Sequence, residues 1–367
     1  MRAAFQVLAL VVLPALLPVG AAGQVDPKTA LLEQAGFEAL EAGDARQAAA
    51  LFAEAVTADP KNAALHLGAG AAAYLERRDE DAKRALDRAI ALDPGMGDAR
   101  RLLGLVVRRQ GDLAGAIRIY EALVRDDPGR GGTLETLERW RRELALHDRM
   151  DRAIGNHFTV AFEGPAEADL AERALESLDR AYWRMGDLLG VYPSTPVGVV
   201  LYTTEQFHDV TRSPQWAAGA YDGIIRVPMR GALANAEELD RVLAHEFIHA
   251  LVRTLGVRGV PTWLNEGLAG AFETDLLPLP PRARMHPKGW AMALAAGVGS
   301  FDALTGREAE LAYASSAAAV RRLVDEAGGV AVANLLRDLA AGADFEAAFA
   351  HRIQRSFADF ADALPER

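Results

Sequence analysis

A spacing of 34 residues governs the N-terminal part of the chain. Gly36, Gly70 and Gly104 are separated by 34, and so are Ala48, Ala82 and Ala116. Phe52, Leu86 and Tyr120 fall in the same register, as do Pro60, Pro94 and Pro128, each preceded by an aspartate (Asp59, Asp93, Asp127). Turn-forming residues recur in step at Gly43-Asp44, Arg77-Arg78-Asp79 and Gly111-Asp112. A period of this length marks a two-helix unit that cannot bury its apolar face alone, so neighbouring units must stack. The small residues are expected where the two helices of a unit cross. The bulky column is expected to fill the gap against the next unit, and the proline stops the second helix.

At these columns residues 29–130 resemble three tetratricopeptide repeats, with Leu32 and Ala39 standing where larger aromatics are often found. The resemblance implies a helical solenoid whose concave face takes a peptide or another protein. The bland reading is a spacer, since three units are about the minimum for stability. The stretch from Thr133 to about Asp151, "TLETLERWRRELALHDRMD", has a charged face suited to a capping helix, so residues 131–152 read as cap and linker.

The 367 residues are enough for two domains, and half of them are hydrophobic. The formal charge of −11 opposes binding to a phosphate backbone, so nucleic acid is not an expected partner. The opening "MRAAFQVLALVVLPALLPVGAAGQ" has one early cation, an apolar run from Ala3 to Val19 and a small-residue exit at Ala21-Ala22-Gly23. This pattern predicts a secretory signal peptide over residues 1–23 and a periplasmic or extracellular protein; a retained anchor is the alternative. No later segment is apolar enough to span a membrane. The chain has no cysteine, so disulfides are excluded.

From Asn156 the texture changes. "NHFTVAFEG" alternates like a strand, "TPVGVVLY" reads as a buried strand over about Pro196–Tyr202, and "AYDGIIRVPM" reads as one short strand over about Tyr221–Met229. Pro228 argues for an edge position there. A helix ends at Gly190, and helices fill the rest apart from the proline-rich stretch Asp275–Pro287. Strands first and helices after predict an α+β domain over residues 153–367.

Within it runs "HEFIHALVRTLGVRGVPTWLNEGLAG", His245 to Gly270. The helix carrying it is bounded by Asn235 as N-cap, with Glu238 completing a capping box, and by Gly256 as stop. His245 and His249 are four apart and share a face, so two imidazoles can bind one metal ion. Glu246, offset around the helix, can reach a metal-bound water. Sixteen residues separate His249 from Glu266, which opens a second helix after Pro261-Thr262. A returning helix can bring that carboxylate to the metal. Two imidazoles and a carboxylate leave a fourth position open, the layout of a catalytic zinc site. The bland alternative is four polar residues on two ordinary helices, which would need other partners to offset desolvation.

"HEFIH…WLNEGLAG" resembles the gluzincin, thermolysin-like or peptidase MA-like, zinc metallopeptidases, over about Asn156 to Ala363. The resemblance implies a gluzincin-type fold with His245, His249 and Glu266 as ligands of one Zn²⁺, Glu246 as general base and Tyr313 as oxyanion donor; Tyr221 is the rival for that last role. The upstream strand residues Ile224, Ile225, Arg226 and Val227 could pair with an extended peptide substrate. Several family members place an aspartate four residues after the ligand glutamate, where it orients a histidine. Gly270 stands at that position here, and Glu273, Asn265 or a backbone carbonyl is expected to substitute. His286 reads as a surface residue. Aminopeptidases of this clan carry a Gly-x-Met-Glu-Asn motif that is absent here, which favours an endopeptidase. The competing class is a repeat scaffold whose second domain is catalytically weak or silent.

Overall fold

The computed structural model describes residues 26–164, 167–211, 219–229, 236–256, 259–273, 286–297, 301 and 304–364. The leader-like segment 1–23, Asn235 and most of the proline-rich stretch (275–285) lie outside the described residues. The chain divides into two compact units, the first ending at Ala145 and the second beginning at Leu146.

The first unit is built of α1 (Pro27–Glu41), α2 (Ala45–Ala58), α3 (Ala63–Leu75), α4 (Asp79–Leu92), α5 (Gly97–Arg109) and α6 (Leu113–Asp126), followed by α7 (Thr133–His147). The second helices of the pairs start at Ala45, Asp79 and Leu113, in the register of the sequence repeat. The turn aspartates explain the starts. Asp44 accepts from the amide of Gln47 at 2.9 Å and Asp112 from that of Gly115 at 2.7 Å, each satisfying a donor that the first helical turn leaves open. Arg78 offers no such cap, but Asp79, Glu80 and Asp81 set negative charge on that helix N-terminus.

The glycine and bulky columns meet. A methyl added at Gly36 would lie 2.8 Å from the Phe52 ring, one at Gly70 would lie 2.7 Å from Leu86, and Gly104 faces Tyr120 in the same way. The bulky side chain therefore lies over the glycine of its own pair. Phe52 also reaches the next unit as expected, through Gly68. On α7, Trp140 packs its ring 4.4 Å from that of Tyr120, and the buried carboxylate of Glu143 accepts from Arg108 at 2.7 Å.

The second unit contains β1 (Asp151–Ile154), β2 (Phe158–Phe162), α8 (Ala168–Leu189), β3 (Val197–Tyr202), α9 (Thr204–Thr211), β4 (Ala220–Tyr221) and β5 (Ile225–Pro228). Among the described residues seven helices follow: α10 (Ala236–Leu255), α11 (Thr262–Phe272), α12 (Pro287–Ala295), α13 (Gly306–Ala327), α14 (Gly329–Ala340), α15 (Phe345–Ile353) and α16 (Phe357–Asp362). The strands form one sheet in the order β1-β2-β3-β5-β4, with β2, β3 and β5 parallel and the two outer strands antiparallel. Alternation sorts the sheet faces. Phe158, Val160, Val199, Leu201, Ile225 and Val227 join the main core with α8 and α10. Val200 and Tyr202 face the other way, onto Leu146, Met150 and Phe207. Among the described residues no helix is long and apolar enough to cross a membrane.

Two expectations are corrected. The helix predicted to run to about Asp151 ends at His147, and Asp151–Ile154 is a strand paired in register with Phe162–Thr159. Its polar, four-residue sequence carries no alternation to read; it exists because β2 offers it an open edge. The single strand expected over Tyr221–Met229 is a hairpin, and β4, not β5, forms the sheet edge. Pro228 fits because the amide of Met229 donates to Tyr202 on β3, so position 228 turns its nitrogen to the other side, past the two residues of β4.

Candidate metal centre

Helix α10 is anchored by a buried face of Leu239, Val242, Leu243, Phe247, Ile248 and Leu251. That anchoring turns His245 and His249 to a common side, with ring centroids 4.9 Å apart. Helix α11 starts after Pro261, where the amide of Thr262 donates to Gly297 at 2.7 Å, and it buries Trp263, Leu264 and Leu268. A Cβ at Gly267 would fall 2.5 Å from the carbonyl oxygen of Ser316, so α11 lies directly on α13. This packing presents Glu266 to the histidines. Its Oε2 is 3.5 Å from His249 Nε2 and 3.9 Å from His245 Nε2. The ligand atoms of the three residues all lie within 4.8 Å of one another.

Each imidazole is held from behind. Nδ1 of His245 lies 2.8 Å from Glu273 Oε2, and Nδ1 of His249 lies 3.2 Å from Asn265 Oδ1. Asn265 also donates from Nδ2 to Glu266 Oε1 at 3.2 Å, so one amide fixes two members of the cluster. Both residues named as substitutes for a carboxylate at Gly270 are used, one per histidine. An acceptor behind each ring places the ring proton on Nδ1 and turns the Nε2 lone pair towards Glu266. Glu273 is itself held by Arg241, whose Nη1 donates to Oε1 at 3.0 Å. Burial alone would raise the Glu273 carboxyl, but its hydrogen bond and electrostatic interaction with His245 and the Arg241 guanidinium outweigh it and hold the group below the usual carboxylate range. Sequence reasoning missed Arg241; its place one helical turn before His245 was the available signal.

The donor set fits a metal ion. Two ring lone pairs and a carboxylate oxygen face one point, and such a point demands a cation or a proton. The proton shows the same field. Burial opposes a charge on His249, yet the Glu266 carboxylate, supported by Glu246, lifts its pKa to about 9. Burial likewise would raise Glu266, and the charge and hydrogen bond of His249 draw it down. Two imidazole nitrogens and one carboxylate form a donor set that could hold a metal ion.

Glu246 stands beside this set and is buried. Desolvation pushes its carboxyl upward against the pull of His249 and His245. Gly219, leading into β4, covers it: a Cβ there would be 2.6 Å from Glu246 Oε1 and 2.7 Å from its Cγ. Nothing in the sequence pointed to Gly219.

The other expected residues lie on other elements. Tyr313, on α13, is half-buried and packs edge-on against Phe301 at 4.9 Å. Tyr221 lies on β4 with the Arg253 guanidinium 5.7 Å from its ring, and burial raises its phenol above the ordinary value. His286 is exposed at the start of α12. The substrate strand Ile224–Val227 is corrected. Ile225 and Arg226 are paired on both sides, with β3 and with β4, and Arg226 is buried with Nη1 on the Tyr202 hydroxyl at 2.6 Å. Among the described residues the outermost strand on that side of the sheet is Ala220–Tyr221.

Residues 178–354 match the Peptidase MA superfamily, and residues 34–82 and 80–130 match the tetratricopeptide repeat. The chain carries tetratricopeptide repeats and a Peptidase MA superfamily domain. No curated protein matches it in sequence. Similar solved structures include MamA, 27% identical over 34% of this chain and 72% of that one, with a TM-score of 0.32. They also include the first tetratricopeptide domain of Spaghetti (RPAP3) bound to an HSP90 peptide, at 22% identity over 33% and 99% of the two chains and a TM-score of 0.32. The Sgt2 domain from Aspergillus fumigatus matches at 21% identity over 41% and 99%, with a TM-score of 0.33.

Proposed function

We propose that the protein is an exported, zinc-dependent peptidase that cleaves within polypeptide chains. The observation that carries this reading is the convergence of His245, His249 and Glu266 within 4.8 Å, each histidine oriented by its own acceptor, beside a buried glutamate. Zinc held by His245, His249 and Glu266 would supply Lewis acidity to polarise a carbonyl and acidify a water.

The chain's own groups do the remaining work. Glu246, raised by burial, is suited to take a proton from the attacking water and return it to the leaving amine. The outer strand Ala220–Tyr221, last in the sheet among the described residues, offers main-chain groups for aligning an extended peptide. Tyr313 is assigned the hydrogen bond to the developing oxyanion, with Tyr221 as the other phenol available for it. The stacked repeats recruit the substrate or a partner protein through their concave face. Export is part of the proposal on the strength of the apolar run Ala3–Val19 and its small-residue exit.

The test is one variant and one metal assay on the purified full chain. Wild type should retain about one zinc per chain and cleave a peptide library internally. Glu246→Gln should keep the zinc and lose cleavage. Wild type without zinc sinks the enzyme reading. A zinc-loaded wild type with no cleavage on any peptide supports instead a repeat scaffold with a silent metal domain.

A further inference from the structure

Helix α11 ends on two arginines from different helices. Arg184, on α8, donates from Nη2 to the Phe272 carbonyl at 2.7 Å, and Arg321, on α13, donates from Nη2 to the Ala271 carbonyl at 2.6 Å. The Arg321 guanidinium also lies 4.3 Å from the centre of the Phe272 ring. The last carbonyls of a helix have no intrahelical partner and carry the negative end of its dipole. Two cations at that end satisfy both needs and clamp the backbone in place.

The next residue is Glu273, and both its oxygens are committed. Oε2 holds His245 at 2.8 Å and Oε1 accepts from Arg241 at 3.0 Å. The geometry is demanding, because a carboxylate just past the last helical turn sits where helices fray. Position 270, one turn closer to Glu266, is a glycine and offers no carboxylate, although a Cβ there would make only an ordinary contact with Ala317 at 3.4 Å. The carboxylate behind His245 therefore comes from the end of α11, and something must stop that end from fraying.

We propose that Arg184 and Arg321 are positioning residues of the metal centre. By pinning the carbonyls of residues 271 and 272 they hold Glu273 where it orients the His245 ring, and zinc affinity depends on them although neither touches a ligand. The inference rests on the cluster being a zinc site.

The experiment is chelator-competition measurement of zinc affinity on the full chain, with the cobalt-substituted absorption spectrum as a second readout. Arg184→Met with Arg321→Met should weaken zinc about tenfold or more, the scale for loss of an outer partner of a ligand, and alter the cobalt spectrum. In a Glu273→Gln background the same two changes should add almost nothing, because they act through that side chain. If the paired variant does not fold, Arg321→Met alone decides, with an expected loss of about threefold or more. Affinity within twofold of wild type in the folded variants overturns the proposal. So does an arginine effect that persists undiminished without Glu273. A wild type that takes up no zinc overturns the zinc reading and this proposal together; a tight-binding wild type matched by its variants overturns this proposal alone.

Discussion

The Oε2 oxygen of Glu273 stands 2.8 Å from Nδ1 of His245, seven residues beyond the carboxylate that shares the other side of the same ring. Residues 266 and 273 lie two turns apart, so helix α11 and the residue that caps its end supply both a candidate ligand and the group that aims its partner. Glu273→Gln keeps an acceptor and removes the charge. It should weaken zinc about 10- to 100-fold, read by competition with a chromophoric chelator. Unchanged affinity would show that the His245 ring is oriented by packing alone.

Gly219 is the second outcome of packing with a chemical consequence. Gly219→Ala places a methyl 2.6 Å from Glu246 Oε1, which forces the base or the strand to move. Cleavage should fall by about 10²-fold, the cost of a misplacement near 1 Å, while zinc content stays at the wild-type value. Full activity in this variant would mean that Glu246 has another working position.

The metal-free protein should lose stability as the solution is made alkaline. His249 is raised in the folded state from 6.5 to about 9, so its contribution is complete below pH 6.5 and vanishes as pH rises through about 9. Glu266 and Glu273 are lowered, so their contribution is present above the ordinary carboxylate range and is lost as pH falls below it. Denaturant melts of metal-stripped protein at pH 6.5 and 9.5 should differ by up to about 3 kcal/mol. Saturating zinc occupies the nitrogen that held the proton, and the alkaline loss should then disappear.

In the repeats, Phe52 fills the space left by Gly36 and Gly68. Phe52→Ala should cost about 3–5 kcal/mol in the first unit, measured by its denaturant transition. Zinc affinity is the control in that experiment, and an equal fall there would show that the change does more than open a cavity in the repeats.

The repeat was legible because its physics is periodic. Gly36, Phe52, Asp59 and Pro60 each solve a local problem (a crossing, a gap, a stop), and the same problem returns every 34 residues. The three residues of the candidate metal centre were legible for a related reason. A separation of four puts His245 and His249 on one face whatever surrounds the helix, and a glutamate near the start of the next helix is within reach of them. Glu273 and Asn265 could be named only as alternatives, because the sequence does not say how far α11 runs or how it is rotated.

Other features were decided in three dimensions. The edge of the sheet passed to Ala220 and Tyr221 because the chain turns back at Asp222–Ile224, and a hairpin with a two-residue arm leaves no alternation to read. Gly219 reaches Glu246, and Arg184 and Arg321 reach the end of α11, across separations in sequence that no local pattern spans. By itself the sequence determined the repeat helices, the histidine-bearing helix and the residue types of the candidate centre, since helix periodicity and side-chain type are local properties. The tertiary structure alone decided which groups stand behind the ligands and what covers the base, because those depend on how helices pack at distances where one methyl group changes the answer.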